Sequence, residues 1–151
     1  MSYHSGAYQQ AVESYAEIQK EMRENARFMF EYGHALHKLH EPELSNKVLK
    51  EALKVSGDPM ILNIIGKNEQ EMKHYESAEY WFMRAVHRLP GRIYPYYLLA
   101  NLYADPSFYR RDKLERMVQT VLEKEPKIQS TAIKQMRRKA RELLKKKYLK
   151  N

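Results

Sequence analysis

Cysteine is absent from this 151-residue chain, and glycine and proline are scarce, with 5 and 6 residues. Without cysteine there is no disulfide, no thiolate nucleophile and no cysteine-ligated zinc. So few turn-forming residues argue against a fold of many short strands. No apolar run is long enough to cross a bilayer, and the first residues lack the basic and apolar segments of a signal peptide. The remaining composition, 43% hydrophobic and 30% charged, is typical of one soluble globular domain.

The net charge of +8 is concentrated at the end of the chain. Residues 132–151 hold nine Lys and Arg against one acid, Glu142, which leaves 18 basic and 18 acidic side chains in the first 131 residues. Because the excess lies on one terminal segment and not across a fold, no nucleic acid is expected as a partner. Lys145, Lys146 and Lys147 could contact anionic lipid or an acidic partner. The alternative is a solvated helix end whose cations suit the helix dipole.

A pattern of small and large apolar residues recurs along the chain at about 34 residues, the period of a tetratricopeptide repeat. Small residues fall where two antiparallel helices approach, and a large residue fills the gap between them. The three complete copies are Gly33, Ser45, Leu49 and Ala52; Gly66, Ala78, Phe82 and Ala85; and Ala100, Leu114, Val118 and Val121. Tyr8, Ala11, Tyr15 and Ile18 match only the second half of a copy.

This register predicts an all-α, tetratricopeptide-like right-handed superhelix of antiparallel helix hairpins in a single domain, residues 1–151. It comprises a half repeat at 1–25, repeats at about 26–58, 59–92 and 93–128, and a basic capping helix at 130–151. An apolar stripe would hold the capping helix against the last repeat: Ile133, Met136, Ala140, Leu143 and Leu144. Because half a hairpin leaves an apolar face open, the chain looks like a piece of a longer protein.

Several helix ends can also be predicted. Asp58 is expected to cap the helix that starts at Pro59, and Ser130 or Thr131 to cap the last helix. Gly57 and Gly91 follow predicted helix ends, where a left-handed residue is favoured.

Four positions of each first helix of a hairpin are predicted to line the concave face of the stack. They mix cationic, amide and aromatic side chains: Arg27, Phe30, His34, His37, Asn63, Lys67, Gln70, Tyr94, Tyr97 and Asn101. Such a mixture could hold a carboxylate or a polar chain, so a protein or peptide partner is predicted, with saccharide as a further candidate. The alternatives are solvated helix faces and, for the tyrosines, packing between helices.

No catalytic site, metal site or cofactor is predicted. His34 and His37 share a helix face, but no HExxH motif is present and no carboxylate stands at a convincing ligand offset. A phosphate-binding glycine loop and a nucleophile elbow are also missing from the sequence. A binding module is therefore expected, not an enzyme.

Four motifs go beyond a generic repeat: NIIGKN at 63–68, YESAE at 75–79, PGRIYPYYLLANLY at 90–103 and KEPKIQSTAIKQMR at 124–137. Together they resemble the C-terminal repeat region of O-antigen ligase-like membrane proteins from Bacteroides and relatives, over about residues 26–138. One departure is Glu69, where the repeat pattern usually has a large apolar residue. It is expected to loosen its helix or to place a charge in the groove.

The resemblance implies a soluble interaction domain tethered to the bacterial inner membrane through its parent protein. The membrane segments of that parent would transfer a lipid-linked polysaccharide, and none is present in this chain, so no catalytic residue is implied here. The alternatives are a stand-alone soluble adaptor and a glycan-binding module that uses Tyr94, Tyr97 and the groove cations.

Overall fold

A computed structural model describes residues 3–22, 25–126 and 129–145. Those ranges contain eight α-helices, one short 3-10 helix at Pro106–Phe108, and no strand. The α-helices are α1 Tyr3–Met22, α2 Ala26–Lys38, α3 Pro42–Leu53, α4 Pro59–Glu71, α5 Tyr75–Arg88, α6 Tyr94–Ala104, α7 Arg111–Glu123 and α8 Thr131–Leu143. The all-α prediction is confirmed.

The chain divides into two compact units at His74 and Tyr75. The first unit contains α1 to α4 and the second contains α5 to α8. The assignment of the whole chain to one domain stays a prediction.

In the first unit each helix packs on the next, and α2 also contacts α4. The closest approach joins α2 to α3. A Cβ added to Gly33 would lie 2.4 Å from Cδ2 of Leu49, and the Ser45 hydroxyl donates a 2.6 Å hydrogen bond to the Gly33 carbonyl. The small residues of this copy therefore lie where two helix backbones meet, as the repeat pattern predicts.

The second unit is built around one apolar core, to which α5, α6, α7 and α8 contribute. The packing residues predicted for α5 to α7 are all buried: Ala78, Phe82, Ala85, Ala100, Leu114, Val118 and Val121. Ala140 and Leu143 bring α8 into the same core. Arg137 of α8 also donates to the carbonyls of Val121 and Lys124, at 3.1 and 2.7 Å, and so satisfies acceptors at the end of α7. Of the predicted apolar stripe of α8, Ile133 and Leu144 also pack against this core, and the role of α8 as a capping helix stays a prediction.

The helix starts agree with the predictions. The Asp58 carboxylate accepts from the Met60 amide at 2.9 Å, and the Ser130 hydroxyl accepts from the Ile133 amide at 3.3 Å. Pro42 is the first residue of α3.

The predicted left-handed residues are wrong. No described glycine has a positive φ; the left-handed positions are His40, with φ 59°, and Lys73, with φ 65°. Gly57 needs no such conformation because α3 has already closed through amides of Lys54 and Val55 that bond three residues back. In contrast, α2 and α4 end in amides that reach five residues back, from Glu41 to Leu36 and from His74 to Glu69. This Schellman-type ending requires a left-handed residue just before the donor.

Candidate functional site

The structure brings several predicted groove residues together on the first unit, where α2 contacts α4. The rings of Phe30 and His34, one turn apart on α2, are stacked with centroids 6.2 Å apart and planes 11° apart. Tyr8 of α1 meets His34 edge-on at 6.2 Å. We call the surface formed by Phe30, His34, Lys38 and Lys67 the α2–α4 face.

Lysines supply the positive charge of the α2–α4 face. Partial burial lowers the pKa of His34, and the charges of Lys38 and Lys67 lower it further. Burial also lowers the pKa of His37, although its hydrogen bond to Asn68 opposes the shift. Both imidazoles are therefore largely uncharged at neutral pH. The face combines a flat aromatic surface with lysine cations.

His37 belongs to a buried hydrogen-bond network and is not an open binding group. The Asn68 amide nitrogen donates to Ser45 Oγ and to Asn46 Oδ1, both at 2.8 Å. Because both amide hydrogens are used, Asn68 Oδ1 is the acceptor for His37 Nδ1, 2.7 Å away. His37 therefore carries its proton on Nδ1. The network, which Ser45 extends to the Gly33 carbonyl, ties together α2, α3 and α4.

Asn63 lies in the interior, with 2% of its surface exposed. Its amide nitrogen is 3.7 Å from Met60 Sδ, and its carbonyl oxygen is buried with no hydrogen-bond partner among the described residues. Asn63 is thus not the open groove side chain that the repeat register predicts. Helical spacing alone cannot distinguish these cases, because a solvated amide and a buried one occupy the same position in the pattern.

Arg27 and Gln70 are the remaining predicted groove residues of the first unit. The Arg27 side chain is 88% exposed and pairs with Glu31 of its own helix at 3.0 Å. Gln70 is half-buried.

In the second unit, Tyr94 and Tyr97 stack on each other along α6, with centroids 6.5 Å apart, and Asn101 is half-buried. Both tyrosines also pack against the apolar core. This agrees with the packing interpretation, and their predicted binding role stays a prediction.

Glu69 neither loosens α4 nor lies on an open surface. The helix continues through Glu71, and Glu69 is 8% exposed. Its carboxylate lies 2.8 Å from Nδ1 of His74, whose amide also bonds to the Glu69 carbonyl. Glu69 therefore stabilises the C-terminal end of α4.

Sequence reasoning missed the polar contacts between distant residues, and two of them involve buried side chains. One is the Asn68 network described above. The other, in the second unit, is the Tyr103 hydroxyl, which donates to Glu79 Oε2 at 2.5 Å. Burial and this carboxylate raise the pKa of Tyr103 well above its usual value. Neither contact has a motif, because each joins residues that are more than 20 positions apart.

The remaining predictions concern the basic end of the chain, metal binding and membrane spans. Lys145 is exposed, whereas Lys146 and Lys147 lie outside the described residues. Within the described ranges no cluster of three His, Asp or Glu could hold a metal ion. In the same ranges no helix combines the length and the apolarity that a membrane span requires.

No protein-family model and no curated protein matches the chain. Solved structures do match it. A crystal structure of MamA, a tetratricopeptide-repeat protein, superposes with a TM-score of 0.71 at 18% identity, over 96% of this chain and 92% of that one. Another crystal structure of MamA gives 0.61 at 18% identity, over 93% and 80%. These likenesses confirm the predicted tetratricopeptide-like helical repeat fold. At 18% identity they concern the fold alone. Nothing in the comparisons supports the relationship to O-antigen ligase-like proteins.

Proposed function

We propose that this protein is an interaction scaffold that binds a segment of a partner protein on the α2–α4 face. The fold supports the proposal, because stacked helix hairpins characteristically present such surfaces to partners. This support comes from the similarity of the fold to other helical repeats. The observation that carries the proposal is local: the His34 ring is stacked on Phe30, and the positive charges of Lys38 and Lys67 act on it.

The chemistry of this face defines the segment that it would accept. Lys38 and Lys67 offer charge to a carboxylate, while the neutral His34 and Phe30 rings offer a flat surface to an aromatic or aliphatic side chain. A peptide that carries an acidic residue next to a large apolar one satisfies both. Catalysis forms no part of this proposal.

The finer predictions depend on the sequence motifs alone. These are the parent protein of the O-antigen ligase-like type, its attachment to the membrane, and saccharide as a ligand of Tyr94 and Tyr97. A saccharide ligand can be tested in the same experiment as the peptide.

An array of short peptides, probed with the full chain, tests the proposal. We expect binding to be enriched for acidic residues adjacent to apolar ones, and Lys67→Glu to remove it, because the reversed charge repels the carboxylate. Lys47→Glu is the matched control, since Lys47 is exposed on α3, a helix that contributes no residue to this face. Equal loss in both variants would contradict the assignment to the α2–α4 face. Calorimetric heat with oligosaccharides but with no peptide would replace it with glycan binding.

A further inference from the structure

The outer edge of α8 carries a straight row of cations. Lys134, Arg138 and Arg141 follow one another at intervals of four and three residues, so they share one edge of the helix. Lys145 continues the row just beyond the C-cap residue Leu144. All four side chains are exposed, and the row is about 16 Å long. We call it the cationic stripe.

The cationic stripe differs from several other exposed cations of the molecule. Arg27, Lys54 and Arg111 each pair with a glutamate three or four residues away on the same helix. No stripe residue forms an ion pair with another described residue. Instead, each stripe residue has another cation as its neighbour one turn away, an arrangement that destabilises a helix. Glu142, one turn from Arg138 and from Lys145, is the single acid of α8, so cations outnumber acids along this edge. An anionic partner would relieve the repulsion between neighbouring stripe residues.

The opposite side of α8 is already occupied. Ala140 and Leu143 are buried in the core of the second unit, and Arg137 is bonded to the end of α7. An amphipathic helix binds a membrane by burying its apolar face among the lipids, and that face of α8 faces protein instead. A narrow row of charges on a docked helix fits a linear partner better than a flat surface.

We infer that the cationic stripe docks an acidic α-helical segment of a partner protein, one with glutamates at intervals of four, three and four residues. The carboxylates of such a helix rise along its axis at the same spacing as the four cations. The two arginines can each take a carboxylate through two parallel hydrogen bonds. The stripe shares no residue with the α2–α4 face, and its test is independent of that proposal.

The probe is a synthetic, labelled peptide of about 18 residues, Ala- and Gln-based, with four glutamates at the matching positions. A second peptide of identical composition distributes the glutamates around the helix. Fluorescence anisotropy with the full chain should show tighter binding of the matched peptide. That binding should weaken between about 0.05 and 0.5 M NaCl, because salt screens exposed charges.

Two double variants locate the site. We expect Arg138→Glu with Arg141→Glu to weaken binding of the matched peptide about tenfold or more, since attraction becomes repulsion at two adjacent positions. Lys47→Glu with Lys139→Glu changes the net charge equally but leaves the stripe intact, because Lys139 lies on another edge of α8. That control should bind within about twofold of the unaltered protein.

A third double variant, Arg138→Gln with Arg141→Gln, controls for misfolding. It removes the two charges with little change in helix propensity. It should weaken binding while the far-ultraviolet circular dichroism stays the same. Equal binding of the two peptides, or equal loss in both glutamate variants, would overturn the proposal in favour of a net-charge effect. Stripe-dependent binding that is tighter to phosphatidylserine vesicles or to a short RNA than to the matched peptide would overturn the choice of partner.

Discussion

The interiors of the two units differ in how many polar side chains they bury. All the buried polar or charged side chains of the described ranges belong to the first unit: Ser45, Asn46, Asn63, Asn68 and Glu69. The second unit has a core of aliphatic and aromatic groups, from which the Tyr103 hydroxyl donates to the half-buried Glu79. The first unit therefore adds buried, directional hydrogen bonds to its apolar packing, whereas the second unit depends mainly on the shape of its apolar groups.

This difference should govern how each unit responds to mutation. A hydrocarbon core tolerates substitutions that preserve volume and suffers when a cavity is created. A buried hydrogen-bond network tolerates little, because removing one member leaves the others desolvated and unpaired. The predictions below test this contrast, from the largest expected effect to the smallest.

Phe82→Ala should be the most destabilising change, by about 3–5 kcal/mol, because it empties a fully buried position at the centre of the second unit. Phe82→Leu is the control, and its cost should be clearly smaller since most of the volume remains. Chemical denaturation followed by circular dichroism measures both. Similar costs for the two variants would argue that shape does not control this core.

Asn68→Ala should cost about 2–4 kcal/mol, although it removes little volume. It leaves His37 Nδ1 and Asn46 Oδ1 without their partner in the interior of the first unit. The matched control is Asn101→Ala, which removes the same amide from a half-buried site in the second unit and should cost less than about 1 kcal/mol. Equal costs would show that the network does not stabilise the first unit.

Gly33→Ala should cost about 1–3 kcal/mol. The new methyl group would lie 2.4 Å from the buried Leu49 side chain, so α2 and α3 would have to move apart. Gly91→Ala has no atom within 4 Å of its added Cβ and should be neutral or slightly stabilising. Differential scanning calorimetry of both variants checks the expectation, and an unchanged melting temperature for Gly33→Ala would contradict the close approach.

Lys73→Gly should stabilise the protein by about 0.5–1 kcal/mol, because residue 73 has φ 65°, where glycine lacks the steric penalty of other residues. Lys47→Gly, in the middle of α3, should instead destabilise by about 1 kcal/mol. Opposite signs in parallel denaturation curves would verify the left-handed ending of α4, and loss of stability in both would disprove it.

Acidification should weaken the first unit by a modest amount. His34 and His37 both have a pKa below the ordinary 6.5, so near that pH the unfolded chain binds protons that the folded chain does not. Their contribution to stability is present above pH 6.5 and is lost as the pH falls below it. The free energy of unfolding should therefore decrease between about pH 7.5 and 5.5, and His34→Gln with His37→Gln should make the decrease shallower. An unchanged slope would contradict the pKa shifts.

Most of the fold could be predicted because its determinants are local and periodic. Apolar residues three and four positions apart define the helices, and the Asp58 and Ser130 side chains bond within the first turns of their helices. Small residues recur at the repeat period, as at Gly33, Gly66 and Ala100. Each of these signals lies within one helix or one hairpin. The cationic residues and the apolar stripe of α8 are also signals that lie within one helix.

The roles of the candidate site residues could not be predicted in this way. A half-buried stacked His34, a network-bound His37 and a buried Asn63 look alike in the repeat pattern, because the pattern specifies which face of a helix a residue occupies and not what covers it. The same holds for Glu69, whose partner His74 is in place only because α4 ends in a left-handed turn. Periodicity along the chain thus determines helices and their pairing. The contacts of a polar side chain depend on atoms that come from distant parts of the chain, and they exist only once the helices have packed.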